Sequence, residues 1–485
     1  MAAAALTACG MADAGAGVSV GTGAAGVTGG TGAAGVTGGA GVTGGTGAAV
    51  GAGLDGGAEM AGGAGVTGGT GGPEGAGLAE AAGSADSGAE PIVLDLWHQW
   101  QGQNTKLEEF TNDAISAYEA EHPNIKIAVH SLNGETYKIN IPMEFAGNAE
   151  DIDVFYYHVP GYMKRLVDAD KLLPLNDYLT EELLGRLREG TLSETSIDGN
   201  IYGLPLYSSK YLLFCNLGLF EEAGVGLPET FEELLTAGRE LKKTGATPLV
   251  LGAQEPWLTA GMYEAIVLPQ VGVDTMMAVL HGEQPMSEHP EYRRAAEQMS
   301  QLFEDGILGD APLNRTEYDS MAEFFEGNAA MLFDGTWASR YIDASEMDAE
   351  KVAVIEFPAP AGSPYGGSYV GGITAGSFFV NKNTDTPDEA ADFAIYLTEY
   401  LGTRAYESGS GIACWDADMS HVSPTLKKIA DMWDYSDEHI PSWDNLLPQK
   451  AGQVHLSQCQ GLLVHDPDID GFLAAHEAAL EEVEQ

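Results

Sequence analysis

From Gly10 to Glu90 the chain is mostly Gly, Ala, Thr and Val, with no Lys or Arg before residue 91. Gly-Val-Thr-Gly-Gly recurs there, starting at Gly26, Gly35, Gly41 and Gly65. So little apolar area cannot offset the entropy of ordering a backbone, and residues 10–90 are predicted to form a disordered linker. A flexible coil of about 80 residues spans about 50 Å r.m.s.. The fold must therefore come from Pro91 to Gln485, where Trp, Tyr, Phe, Leu and Ile are spread throughout and the length suits two domains.

Acids outnumber bases 72 to 22, for a formal charge of −50. Such a surface repels phosphate backbones and anionic lipid headgroups, so nucleic acid is excluded as a partner. The four cysteines, Cys9, Cys215, Cys414 and Cys459, are too far apart for a C-x-x-C metal or redox motif. Cys414 and Cys459 are open to two readings, one disulfide or two buried thiols. The eleven histidines show no ligand spacing, so neither a metal nor a cofactor is expected. There is no Gly-x-Ser-x-Gly elbow, no His-Glu-x-x-His and no phosphate loop. No run of about 18 apolar residues offers a membrane span.

Past Pro91, Ile92–Trp97 reads as a buried strand, Thr105–Glu121 as a helix with Leu107, Phe110, Ala114 and Tyr118 on one stripe, and Ile125–Val129 as an alternating strand. Asp153–Tyr157 follows as a further strand, the opening of an α/β domain with a largely parallel sheet. Downstream, Ile201–Asn216 is extended with a break at Pro205. Thr230-Phe231-Glu232-Glu233 reads as a capping box, a helix near Tyr318–Glu326 ends at Gly327, and Ala329–Phe333 is an apolar strand. Thr386-Pro387 starts a helix with Ala390, Phe393, Ala394, Leu397 and Leu401 inward.

The order of segments resembles the extracellular solute-binding protein family 1 of ABC importers, the maltose-binding-protein-like group. Its carriers include Leu96-Trp97-His98-Gln99-Trp100, Asp153-Val154-Phe155, Leu172-Leu173-Pro174-Leu175 and Asp198-Gly199-Asn200-Ile201-Tyr202-Gly203-Leu204-Pro205. Leu166-Val167-Asp168-Ala169, Phe214-Cys215-Asn216 with Leu219-Phe220, Pro228-Glu229-Thr230-Phe231-Glu232-Glu233-Leu234, Gly327 to Trp337 and Val380-Asn381-Lys382-Asn383 complete the set. The resemblance implies a type II periplasmic-binding-protein-like α/β fold with two lobes, a ligand cleft between them and hinge segments that cross. The first lobe is expected over 91–207 plus 372–425 and the second over 208–371 plus 426–485, with crossings near Tyr207–Lys210, near Ser368–Gly372 and past Gly411. Leu6-Thr7-Ala8-Cys9-Gly10 resembles a lipobox, so residues 1–9 are expected to be the remnant of a lipoprotein signal peptide whose start lies upstream of Met1, with lipid on Cys9. The expected location is the extracellular face of a Gram-positive cell membrane.

A sugar has apolar C–H faces and a rim of hydroxyls, so a binder stacks aromatics on the faces and aims fixed polar groups at the rim. Trp97, Trp100, Tyr157, Tyr207, Trp257, Trp337, Tyr369 and Trp415 are the candidate platforms, Trp100 being preferred to Trp97; of these the resemblance singles out Trp337. His98, Gln99, His158, Asp334 and Asp416 are the candidate polar partners, and Gly371-Gly372 is either a place for close ligand approach or a hinge turn. The expected function is capture of a mono- or oligosaccharide by hinge closure and delivery to ABC permease subunits by a monomer that is not an enzyme. The alternatives are a secreted glycoside-acting enzyme and a tethered sugar-binding or chemosensing module.

Overall fold

The computed structural model describes residues 91–100, 105–132, 134–147, 149–435 and 437–481. Cys9 and the 10–90 linker lie outside the described residues.

The chain opens with strands β1 (Ile92–His98), β2 (Ile125–Ser131) and β3 (Val154–Tyr157). Short strands β4 (Ser196–Ile197) and β5 (Asn200–Ile201) pair with each other ahead of the ten-residue β6 (Tyr207–Asn216). Then come β7 (Thr247–Val250), β8 (Ala329–Gly335), β9 (Val352–Ile355), β10 (Tyr369–Gly372) and β11 (Ser377–Val380), with β12 (Ile412–Ala413) and β13 (His439–Ile440) last.

The first lobe is a four-stranded sheet in the order β11-β3-β1-β2. β1 pairs parallel with β2 and with β3, while β11 closes the edge antiparallel, with Tyr157 opposite Ser377 and Val154 opposite Val380. Helix Lys106–Glu121 covers it because Leu107, Phe110, Ala114 and Tyr118 fall on one stripe; its first turn is fixed by Thr105, whose side chain accepts from the Glu108 N–H. Leu94, Leu96, Phe155, Phe378, Phe393 and Leu397 share the same core. Each large apolar side chain buried there contributes about 1.5–3 kcal/mol.

The second lobe is built on β6, the middle strand of the order β13-β10-β6-β8-β7. The first half of β6 pairs with β10 and β12 and the second half with β8 and β9, so one strand serves both the hinge and the lobe. Helix Pro256–Val271 is buried nearly all round, as a helix at the centre of a lobe must be. Helix Phe231–Leu241 starts on Thr230, which accepts from Glu233 N–H, while the Glu233 carboxylate accepts from the N–H of Glu229, one residue earlier than in a capping box.

The chain passes between lobes three times. Leu206 packs in the first core and Leu213 in the second. Val370 is in the second and Phe378 back in the first. The third passage starts at Leu401, ahead of the expected position past Gly411. Ala405, Tyr406, Ile412 and Ala413 pack on the β6–β8 sheet with Leu212 and Leu332, although a boundary at 425 places them in the first lobe. Cys414 and Trp415 then turn back onto Leu204 and Leu187, because a hinge segment must satisfy both sides. Cys215, Cys414 and Cys459 are free buried thiols, and Cys414 lies in a different cluster from Cys459, which settles the open disulfide question for that pair.

Candidate functional site

The end of β8 and the start of helix Pro256–Val271 bring two half-buried indoles together, Trp337 and Trp257, with ring centroids 5.7 Å apart. Tyr211, on β6, backs both, stacked on Trp257 at 6.4 Å and edge-on to Trp337 at 5.9 Å. Trp337 folds over Gly335, where a β-carbon would fall 2.1 Å from the indole, so only glycine lets the ring lie there. The Trp337 Nε1–H donates to Glu317 Oε1 at 2.9 Å. Thr316 and Asp319 form a capping box that fixes the helix Glu317–Phe325 and with it the Glu317 carboxylate.

Charge is concentrated beside these rings. Burial raises the pKa of Glu317, and Glu255 raises it further against the hydrogen bond from Trp337 and the charges of Arg340 and Lys138. Burial and the Glu317 charge hold Asp334 well above the usual carboxylate range, which favours a protonated form able to donate. Asp334 Oδ2 and Arg340 Nε have no hydrogen-bond partner among the described residues.

The first lobe faces this wall with Lys138, His158 and Gln99. The Lys138 ammonium lies 5.9 Å from the Trp257 ring centroid. His158 Nε2 lies 3.2 Å from Gln99 Oε1; burial, helped by the Lys138 charge, lowers the imidazole to about 3, so it is neutral at ordinary pH. Tyr207, at the start of β6, hydrogen-bonds with the Tyr156 hydroxyl and adjoins Arg340. Stacking faces, donors and acceptors from both lobes thus come together in one place.

The profile of the bacterial extracellular solute-binding protein family matches residues 101–400, more than half of the chain. The chain belongs to this family. An ABC transporter extracellular-binding protein of Pyrococcus horikoshii is 25% identical over 370 residues, 74% of this chain and 83% of the relative. The multiple sugar-binding protein of Streptococcus mutans is 22% identical, over 73% of this chain and 83% of its own length. A solved structure from work on xylan utilization by Caldanaerobius polysaccharolyticus superposes with a TM-score of 0.75 at 26% identity, covering 80% of this chain and 99% of that one. The molecule is an extracytoplasmic ABC-transporter solute-binding protein, in a family of binders rather than enzymes.

Within this solute-binding protein, Gln99, His158, Tyr207, Trp257, Asp334 and Trp337 come together at the cleft. The other candidates do not. Trp100 is 3% exposed and Trp415 is fully buried; the indole of Trp100 donates to Thr111 Oγ1, that of Trp415 to the Pro205 carbonyl. His98 stacks on Trp100 inside the first lobe, and burial lowers it to about 4. Tyr157 packs against Phe155 and Tyr162. Asp416 is exposed beside Arg186, whose carbonyl accepts from its N–H. Gly371 is required by close strand approach, since a β-carbon would fall 2.2 Å from the Ser209 carbonyl; Gly372 lies by Thr374 and Glu194. Both glycines lie on β10, opposite Lys210 and Ser209 of β6. Lys138, Tyr211, Glu317 and Arg340 were not anticipated from sequence.

Proposed function

We propose that this solute-binding protein captures a mono- or oligosaccharide by closing its lobes and delivers it to the permease subunits of an ABC importer, acting as a monomer. The observation that carries this reading is the half-buried pair Trp257 and Trp337, edged by Glu317, Asp334, Arg340 and Lys138. Apolar ring faces meet indoles, while a rim of hydroxyls meets groups that both donate and accept. A neutral His158, and an Asp334 carboxyl that burial pushes towards its protonated form, extend that mixture of donors and acceptors. A relative named for arabinooligosaccharides and a structure named for chitin oligosaccharides point to the same chemistry.

A thermal-shift screen tests it. A ligand that binds only the folded chain stabilises it by about 2.7 kcal/mol at a hundred times its Kd. Sugars should raise the midpoint, and amino acids, peptides and metal salts should not. A peptide that shifts the midpoint while no sugar does sinks the carbohydrate reading, and cleavage of a bound sugar sinks the binder reading.

The same proposal places the chain on the outer face of the membrane through lipid on Cys9, which lies outside the described residues. Labelled fatty acid fed to producing cells should enter the wild-type chain and not Cys9→Ser; equal labelling removes the anchor.

A further inference from the structure

Beside the aromatic wall the lobes meet a second time. Helix Gly161–Asp168 belongs to the first lobe through Met163 and Leu166, and the turn Trp443–Leu446 to the second through Trp443. A β-carbon on Gly161 would fall 1.5 Å from the Asn445 carbonyl oxygen, 2.6 Å from its carbon and 3.2 Å from Leu446 Cα. The obstruction is backbone, which cannot swing aside as a side chain can. Gly161 is absent from the positive-φ glycines, so space and not conformation demands glycine.

One turn along the helix, Arg165 clamps the seam by donating from Nη2 to the Leu447 carbonyl. Its guanidinium lies 4.7 Å from the Tyr162 ring centroid, and Tyr162 lies against His158 at 6.3 Å. On the other side, Ser442 Oγ is 3.3 Å from the hydroxyl of Tyr211, the ring that backs Trp257 and Trp337. Each half of the seam is therefore tied to residues of the cleft.

We propose that the Gly161–Asn445 seam, clamped by Arg165, is the stop that sets the closed angle of the lobes, and that Gly161 is a positioning residue for ligand capture. A single β-carbon there needs about 2 Å more room to reach ordinary contact distance. A lobe displacement of that size breaks hydrogen bonds that hold only within about 3.2 Å, so a ligand gripped from both sides loses one side. The ligand readout rests on the capture reading; the lobe geometry does not.

The test is a distance measurement on the full chain in a Cys9→Ser background. Spin labels go on Met143→Cys in the first lobe and Val464→Cys in the second, positions 65% and 42% exposed. With Gly161→Val the most closed distances should disappear, with and without a sugar that stabilises the parent. Affinity should fall about tenfold or more, while the ligand-free melting temperature stays close to that of the parent. Arg165→Met adds no bulk; it should broaden the closed distance and weaken binding several-fold. Parent-like closure and affinity in Gly161→Val overturn the proposal. If Gly161→Val does not fold, parent-like behaviour of Arg165→Met overturns it. A parent that binds no sugar defeats the capture reading, yet the ligand-free distances still decide whether the seam is the stop.

Discussion

Replacing Trp337 by alanine is expected to weaken ligand binding by a factor of ten to a hundred while the chain still folds. The ring is half-buried, so its loss opens the cleft wall rather than the centre of the lobe. Removing the indole takes away one stacking face and the N–H held by Glu317, leaving that carboxylate without its donor. Loss of a buried aromatic contact together with an orphaned polar group costs about 1–3 kcal/mol, which is the expected factor. Trp257→Ala should act in the same direction, and because the rings touch, the double variant should cost less than the sum of the singles. Titration calorimetry against the sugar found by thermal shift measures both. An unchanged affinity in Trp337→Ala removes the residue from the site.

A larger effect on stability is expected deep in the second lobe. His476 Nδ1–H donates to the Phe472 carbonyl, so its Nε2 accepts from His455 Nδ1–H at 2.9 Å; His455 Nε2 then faces Glu264 Oε1, also at 2.9 Å. One proton must sit in that last bond. Burial lowers both imidazoles to about 3 and raises Glu264, so the relay is neutral with the proton on the carboxyl group. The same oxygen accepts the Trp443 N–H, so three helices and the turn at 443 are held by one network. His455→Phe strands Glu264 and His476 together. Breaking one partner of a buried polar network costs about 3–5 kcal/mol, readable as a lower denaturant midpoint. Parent-like stability would show that the relay contributes nothing.

The relay also predicts a pH response. His98, His158, His455 and His476 have folded pKa values of about 3 to 4 against 6.5 unfolded. The unfolded chain takes up their protons first, so each removes about 1.4 kcal/mol of stability per pH unit as the pH falls below 6.5. The raised acids Glu264, Glu317, Asp334 and Glu356 act in the opposite sense above about pH 4.5, where the unfolded chain ionises before the folded one. Below that pH this compensation ends. Stability should fall less steeply between pH 6.5 and about 4.5 than beneath, with His455→Phe showing a shallower fall.

Elements whose signal is local were legible in the sequence. The stripe Leu107, Phe110, Ala114 and Tyr118 and the turn Asp334 to Trp337 declare themselves within a few residues. Helix Gly134–Gly147 did not. Its inward residues Tyr137, Ile141 and Phe145 are interleaved with Ile139 and Met143, 63% and 65% exposed, and Pro142 sits inside it. No clean stripe survives, and Lys138 went unseen with it. The indoles of Trp100 and Trp415 were misjudged because what buries them is remote in sequence or set by tertiary packing: Thr111 for one, the Pro205 carbonyl for the other. Arg340 and Glu317 acquire meaning only when β8 and the helix at Glu317 are laid side by side.

The antiparallel edge of the first lobe bears on how the molecule is made. β11 and helix Pro387–Gly402 complete a sheet whose other three strands precede the whole of β6 to β10. Contacts of such long sequence separation form late, because the loop must be closed before they reward the chain. A nascent chain therefore carries a half-made first lobe, with β3 unpaired on one side, until nearly four hundred residues have been synthesised. That delay leaves the edge of β3 an unpaired strand, open to pairing with another chain until β11 arrives.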